Sequence, residues 1–232
     1  QSVRRIIRRA KYLLVELGSG DTLVMHLGMS GSFRVERSAP RGGPSNEGGL
    51  DAHDHVIFEI SGGARVVFND PRRFGFMDLL TARQLAEHVV LGRLGPEPLS
   101  PQFDAAGLAR ACRGKKVSLK IALLDQRVVA GLGNIYACEA LHVARLSPFR
   151  RASTIATAAG APREAARRLT AAVKAVLTKA IGRSTATATY RSERFRVYDR
   201  DGRPCPRATC PGTTRRRTQA GRSTFYCPVC QR

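Results

Sequence analysis

Four cysteines near the end of the chain carry a spacing that can do chemistry. Cys205 and Cys210 form a C-x4-C pair, Cys227 and Cys230 form a C-x2-C pair, and sixteen residues separate the pairs. Two turns that each offer two thiolates to one tetrahedral ion make a four-cysteine zinc ribbon, so one structural Zn2+ is the expected cofactor. Hairpins this short bury too little apolar surface to hold themselves. The metal would supply folding free energy on the order of 10 kcal/mol. The competing reading is two disulfides of a secreted protein. The only other cysteines are Cys112 and Cys138, solitary in helical stretches, and no signal-peptide pattern is visible, so the expectation is reduced thiols in a cytosolic protein.

Between the pairs lie Arg215, Arg216 and Arg217, then Gly221-Arg222 and Thr224-Phe225-Tyr226. A turn followed by a β-prone run predicts a hairpin with Arg222 at its tip. Guanidinium groups on such a finger suit phosphates, although a solvated basic face is the commoner fate of a charge run. The whole composition favours the phosphate reading. Lys and Arg total 39 against 18 Asp and Glu, a net charge of +21 spread from Arg4 to Arg232. That excess calls for a polyanion, and nucleic acid is the expected one. No apolar run approaches the roughly 20 residues of a spanning helix, so a membrane partner is not expected.

The elements that must position these groups fall into two styles. Residues 1–80 read as short strands joined by tight turns: 12–17, 22–27, 32–35, 55–60, 65–69 and 76–80, with a Pro-, Gly- and Ser-rich loop from Arg37 to Leu50. From Thr81 the period turns helical. Helices are predicted after Thr81, from Asp104 to Cys112, over Leu119–Leu124 behind Ser118, over Ile135–His142, and over Pro162–Ile181 with Leu169, Val173, Val176, Leu177 and Ile181 on one face. Phe195–Tyr198 reads as a strand leading into the ribbon. The expected class is α+β: an antiparallel β-sandwich over 1–92, a helical domain over 93–196 and a zinc finger over 197–232.

Several stretches, taken in order, resemble the formamidopyrimidine-DNA glycosylase family. They are Arg9–Leu14, His26-Leu27-Gly28-Met29-Ser30-Gly31, His53-Asp54-His55-Val56, Asn69-Asp70-Pro71-Arg72-Arg73-Phe74-Gly75, Leu94–Leu99, Gly131-Leu132-Gly133-Asn134-Ile135-Tyr136-Ala137 and the Gly221–Cys230 knuckle. The resemblance implies a helix–two-turns–helix domain after the sandwich. It also implies a bifunctional glycosylase/AP lyase that removes oxidised purines from duplex DNA in base-excision repair. Lys11 matches the family lysine assigned to proton donation in β-elimination, and Arg222 the hairpin arginine credited with δ-elimination. A guanidinium with a pKa above about 12 is a poor acid, so a phosphate clamp is the better physical use of Arg222. Met29, Arg72 and Phe74 match the side chains that fill the gap left by an everted base; from residue type alone, core packing is the alternative for Met29 and Phe74. His26, His53, Lys116, Lys120 and Asn134 match phosphate contacts.

Three departures bear on these expectations. The first knuckle is C-x4-C where C-x2-C is usual, and the loop after Arg37 is long. The segment between Gly182 and Arg196 is short and lacks the lesion-capping loop. The family nucleophile, the proline amine of an N-terminal Pro-Glu-Leu-Pro-Glu segment, is not among these residues. The expectation is therefore a monomeric, zinc- and DNA-binding chain with impaired catalysis. A non-catalytic structural DNA-binding protein is the alternative, and a zinc-ribbon RNA-binding or ribosomal protein is a third reading that the layout disfavours.

Overall fold

A computed structural model describes residues 1–37, 51–184 and 195–232, which divide into two units, Gln1–His88 and Val89–Arg232. The expected loop beyond residue 37 and the short segment over 185–194 lie outside the described residues.

The first unit holds β1 (Val3–Arg9), β2 (Tyr12–Leu17), β3 (Thr22–His26), β4 (Ser32–Arg37), β5 (Asp54–Ile60), β6 (Ala64–Asn69) and β7 (Phe76–Leu80), followed by the short helix α1 (Ala82–Ala86). Two antiparallel sheets form, in the orders β1-β2-β3-β7 and β4-β6-β5. Val15, Val24, Met25, Val67, Phe68 and Leu80 are buried from both sheets. A carboxylate ties the second sheet together across all three strands. Asp54 of β5 accepts from the Arg34 guanidinium of β4 and, at 2.9 Å, from the Asn69 amide of β6. Strand β1 is an addition to the sequence reading. With four arginines among seven residues it shows no alternation, and its pairing to β2, Arg9 opposite Tyr12, decides its conformation.

The second unit contains α2 (Val89–Gly92), α3 (Ala105–Cys112), α4 (Leu119–Leu124), α5 (Asn134–Val143), a 3-10 turn at Ala152–Ile155, α6 (Glu164–Ser184) and the hairpin β8 (Arg215–Gln219) with β9 (Arg222–Tyr226). Local capping explains the starts of three helices. The Thr81 hydroxyl accepts from the Gln84 N–H, Asp104 from Gly107 and Ser118 from Ile121, each satisfying an orphan amide of a first turn. Leu108, Leu119, Leu123, Leu132, Leu141, Leu146, Ile155, Leu169 and Val173 make the core. The apolar face of α6 runs off this core: Leu177 packs against it, but Ile181 is exposed.

The strand expected at Phe195–Tyr198 is instead a bend. Its amides are satisfied by a side chain rather than by a neighbouring strand. The Glu139 carboxylate of α5 accepts the N–H groups of Arg196, Val197 and Tyr198 at 2.8, 2.9 and 3.0 Å. Val197 and Phe225 then pack on Cys138, so the C-terminal ribbon shares the unit of the helices.

Candidate functional site

The ribbon gathers its cysteines as their spacing predicts. The four Sγ atoms lie within 4.8 Å of one another, with Cys210 and Cys227 at 3.6 Å and Cys205 and Cys230 at 3.8 Å. Sulfurs on a tetrahedral ion with 2.3 Å bonds are about 3.8 Å apart, whereas bonded sulfurs are about 2.05 Å apart. The cluster therefore fits a single metal ion and not two disulfides. The surrounding backbone leaves little freedom: a Cβ on Gly212 would stand 2.7 Å from the Cys227 sulfur. Gln231 closes the second knuckle by accepting the Cys227 N–H at 2.7 Å and donating to the Leu146 carbonyl at 3.1 Å.

From this centre β8 and β9 project to a two-residue turn. Ala220 and Gly221 both have positive φ, 46° and 71°, the conformation that matches the twist of a tight hairpin. Arg222 follows it, exposed, as the sequence predicts. The hairpin is gripped from behind. Lys120, with no exposed surface, donates to the Ser223 carbonyl at 3.0 Å and to Thr224 Oγ1 at 2.7 Å. Asn134 Nδ2 donates to the same carbonyl at 2.9 Å, and Thr224 passes its own proton to Gln219. The expected phosphate contact at Lys120 thus meets an ammonium already engaged by the hairpin. Two of its three N–H donors are spent on the hairpin, and burial pulls its pKa down. Asn134, half-buried, likewise spends its amide N–H on the hairpin.

Beside the hairpin turn, Lys115, Lys116, Arg127 and Arg222 line a concavity of about 540 Å3 with Asp125. Asp125 is held by Arg127 at 2.9 Å and lies 3.9 Å from Lys115. Lys116 and Arg222 have no acidic partner among the described residues, which leaves them able to take an anion. Lys115 and Arg127 were not singled out by sequence reasoning, because ion-paired and free cations look alike there.

In the first unit, two turns meet. Gly28 has φ +65°, and a Cβ there would sit 2.5 Å from the Phe74 carbonyl carbon, so the 28–31 turn lies directly against residues 74–75. Buried Asp70 locks them: its carboxylate accepts from the Ser30 hydroxyl and, at 2.7 Å, from the Gly75 N–H, while Ser30 Oγ accepts the Arg72 N–H at 3.2 Å. These bonds, Ser30 foremost, hold the Asp70 carboxyl below its usual range. The lock leaves three side chains outward. Met29 is 72% and Phe74 56% exposed, and the Arg72 guanidinium lies 4.9 Å above the Phe74 ring. Core packing is thus ruled out for both apolar residues. Asp70 was missed as a site residue, although an acid inside Asn-Asp-Pro-Arg-Arg-Phe-Gly was the available signal.

Lys11 lies in the turn just before β2, beside Tyr12 of a ring cluster. His26 stacks on Phe76 at 5.8 Å and lies 5.2 Å from Tyr12. The Gly28 N–H donates to His26 Nδ1 at 2.9 Å, which places the ring proton of a neutral imidazole on Nε2. Burial, then the Lys11 charge, lowers the His26 pKa, consistent with the neutral form. His53 is exposed, and its carbonyl accepts the Asp70 N–H at 3.0 Å.

Residues 1–77 match the model of the formamidopyrimidine-DNA glycosylase N-terminal domain and residues 94–192 that of its H2TH domain. The formamidopyrimidine-DNA glycosylase of Rhodopseudomonas palustris (strain BisB18) is 54% identical over 246 residues, covering all of this chain and 84% of that one. The chain belongs to the formamidopyrimidine-DNA glycosylase family. Solved family members agree in fold. The Thermus thermophilus protein superposes with a TM-score of 0.79 at 39% identity, over 99% of this chain and 82% of its own. The Lactococcus lactis glycosylase in complex with FAPY-dG-containing DNA gives 0.83 at 29% identity, over 100% and 82%. Formamidopyrimidine-DNA glycosylases are DNA-repair enzymes, and the α+β layout of sandwich, helices and cysteine ribbon is that of the family. No described helix is long and apolar enough to cross a membrane.

Proposed function

We propose that this chain grips damaged duplex DNA by everting an oxidised purine nucleotide and filling the vacancy with Met29, Arg72 and Phe74. The observation that carries this reading is the exposure of those three side chains on two turns locked to each other. Apolar groups held outward at that cost in water contact suit insertion into a base stack. In the second unit, Lys116 and Arg222 meet phosphates, and His53 adds a contact from the first. Lys11 holds a phosphate or supplies a proton near the reacting sugar, with neutral His26 beside it as an Nε2–H donor. Lys120 and Asn134 act through the hairpin. One structural Zn2+ on Cys205, Cys210, Cys227 and Cys230 keeps that hairpin in shape.

The family reaction is glycosylase/AP-lyase chemistry through a Schiff base on an N-terminal proline. The residues named above are read as supplying DNA grip, gap filling and zinc binding to that reaction. The chain's setting is the bacterial cytosol, as a monomer. Fluorescence anisotropy against abasic and intact duplexes of one sequence tests the proposal. A clear preference for the abasic duplex, reduced in Met29→Ala and Phe74→Ala, supports it. Equal affinity for both would favour a purely structural DNA-binding protein instead.

A further inference from the structure

Three polar side chains of helix α5 hold the ribbon, and one of them faces the metal cluster. Asn134 in its first turn holds the Ser223 carbonyl, and Glu139 holds the amides of residues 196–198. His142 in its last turn is fully buried, with Nε2 3.3 Å from Cys205 Sγ. Its Nδ1 is also buried and has no partner among the described residues. That asymmetry fixes the tautomer. A proton on Nδ1 would be a buried donor with no acceptor and would set an imidazole lone pair against the sulfur. A proton on Nε2 gives a hydrogen bond to the thiolate and leaves only an acceptor unused.

The longer first knuckle has a matching use. Its Arg207, between Cys205 and Cys210, returns to α5 and donates to the His142 carbonyl at 3.1 Å. A cation there also complements the negative end of the helix. The backbone of His142 is thereby held by the same loop whose cysteine its ring meets.

We infer that His142 is a positioning residue for the metal centre, donating its Nε2–H to the Cys205 thiolate and so strengthening the hold on the ion. The inference rests on the reading that the four cysteines bind zinc. Four thiolates on one Zn2+ carry a net charge of −2, and an N–H aimed at one sulfur spreads that charge without adding a ligand. Outer partners of this kind are worth about 10–100-fold in metal affinity.

The test uses the whole chain loaded with one equivalent of Zn2+ and competed with a chromophoric chelator. Zinc stoichiometry of the unaltered chain tests the zinc reading alone. Comparison of variants then tests the role of His142. His142→Phe, which keeps a ring in the core but removes the N–H, is expected to weaken zinc binding at least about tenfold. His142→Gln, with an amide N–H at comparable reach, is expected to recover most of that loss. In the cobalt-substituted protein, His142→Phe should move the thiolate-to-metal charge-transfer band to lower energy, because a thiolate without its hydrogen bond is easier to oxidise. Unchanged affinity and an unshifted band in a folded His142→Phe chain would overturn the inference. If that variant does not fold, the histidine 1H–15N spectrum of the unaltered zinc-loaded chain decides. A proton on Nε2 of His142 supports the proposal, and one on Nδ1 overturns it.

Discussion

Two lysines four residues apart have opposite surroundings and should behave differently when changed. Lys116 is exposed at the cationic concavity, whereas Lys120 is sealed beneath the hairpin. If about six cations of this chain meet phosphates, the log–log slope of DNA affinity against salt should be near roughly −5. Removing one contact with Lys116→Ala is expected to reduce that slope by about 0.9. Lys120→Met should leave the slope alone but lower unfolding free energy by about 1–3 kcal/mol, through the loss of its bonds to Ser223 and Thr224. Titrations at several salt concentrations and urea unfolding of both variants separate the two roles. A reduced slope in Lys120→Met would show that its ammonium does reach DNA. Arg222→Lys is expected to bind less tightly than the parent at every salt concentration, since a point charge replaces a two-pronged donor.

At the scale of elements, the locked turns of the first unit can be disturbed without touching the residues they display. Gly28→Ala must displace the Phe74–Gly75 backbone, and Asp70→Asn loses acceptor capacity for Ser30 and Gly75. Both changes are expected to erode the preference for abasic over intact duplex while overall affinity at low salt falls little, which parallel anisotropy titrations would reveal. The sequence made some of these elements plain and hid others. Cysteine spacing announced the ribbon, because ligand geometry is local. The caps at Thr81, Asp104 and Ser118 announced helix starts for the same reason. Strand β1 was hidden because an arginine-rich edge has no alternation and its partner dictates its form. Phe195–Tyr198 misled because its β-prone residues are held by a glutamate more than fifty positions upstream. The burial of Lys120 was hidden for a related reason: a family match fixes the residue type at a position, whereas its burial depends on what folds over it.

For the molecule as a whole, acid and chelation should act on different units. Asp54 has its carboxyl held well below the usual range, by Arg34 first and then by Asn69 and the Asp51 N–H. A lowered folded pKa means stability that is complete above the unfolded value of about 3.9 and is lost as pH falls below it. The first unit should therefore melt at lower temperature at pH 3 than at pH 6, and Asp54→Asn should flatten that dependence in calorimetry. A chelator at pH 7 should instead lower the melting of the second unit, where the cysteine cluster lies. Because Asn134, Glu139 and His142 of one helix each hold a different segment of the ribbon, the order of assembly is constrained. The ribbon has no platform until α5 is docked in its core, so metal capture is expected to trail the collapse of the helices during refolding. Zinc added late in a refolding experiment should then be taken up as fast as zinc present from the start.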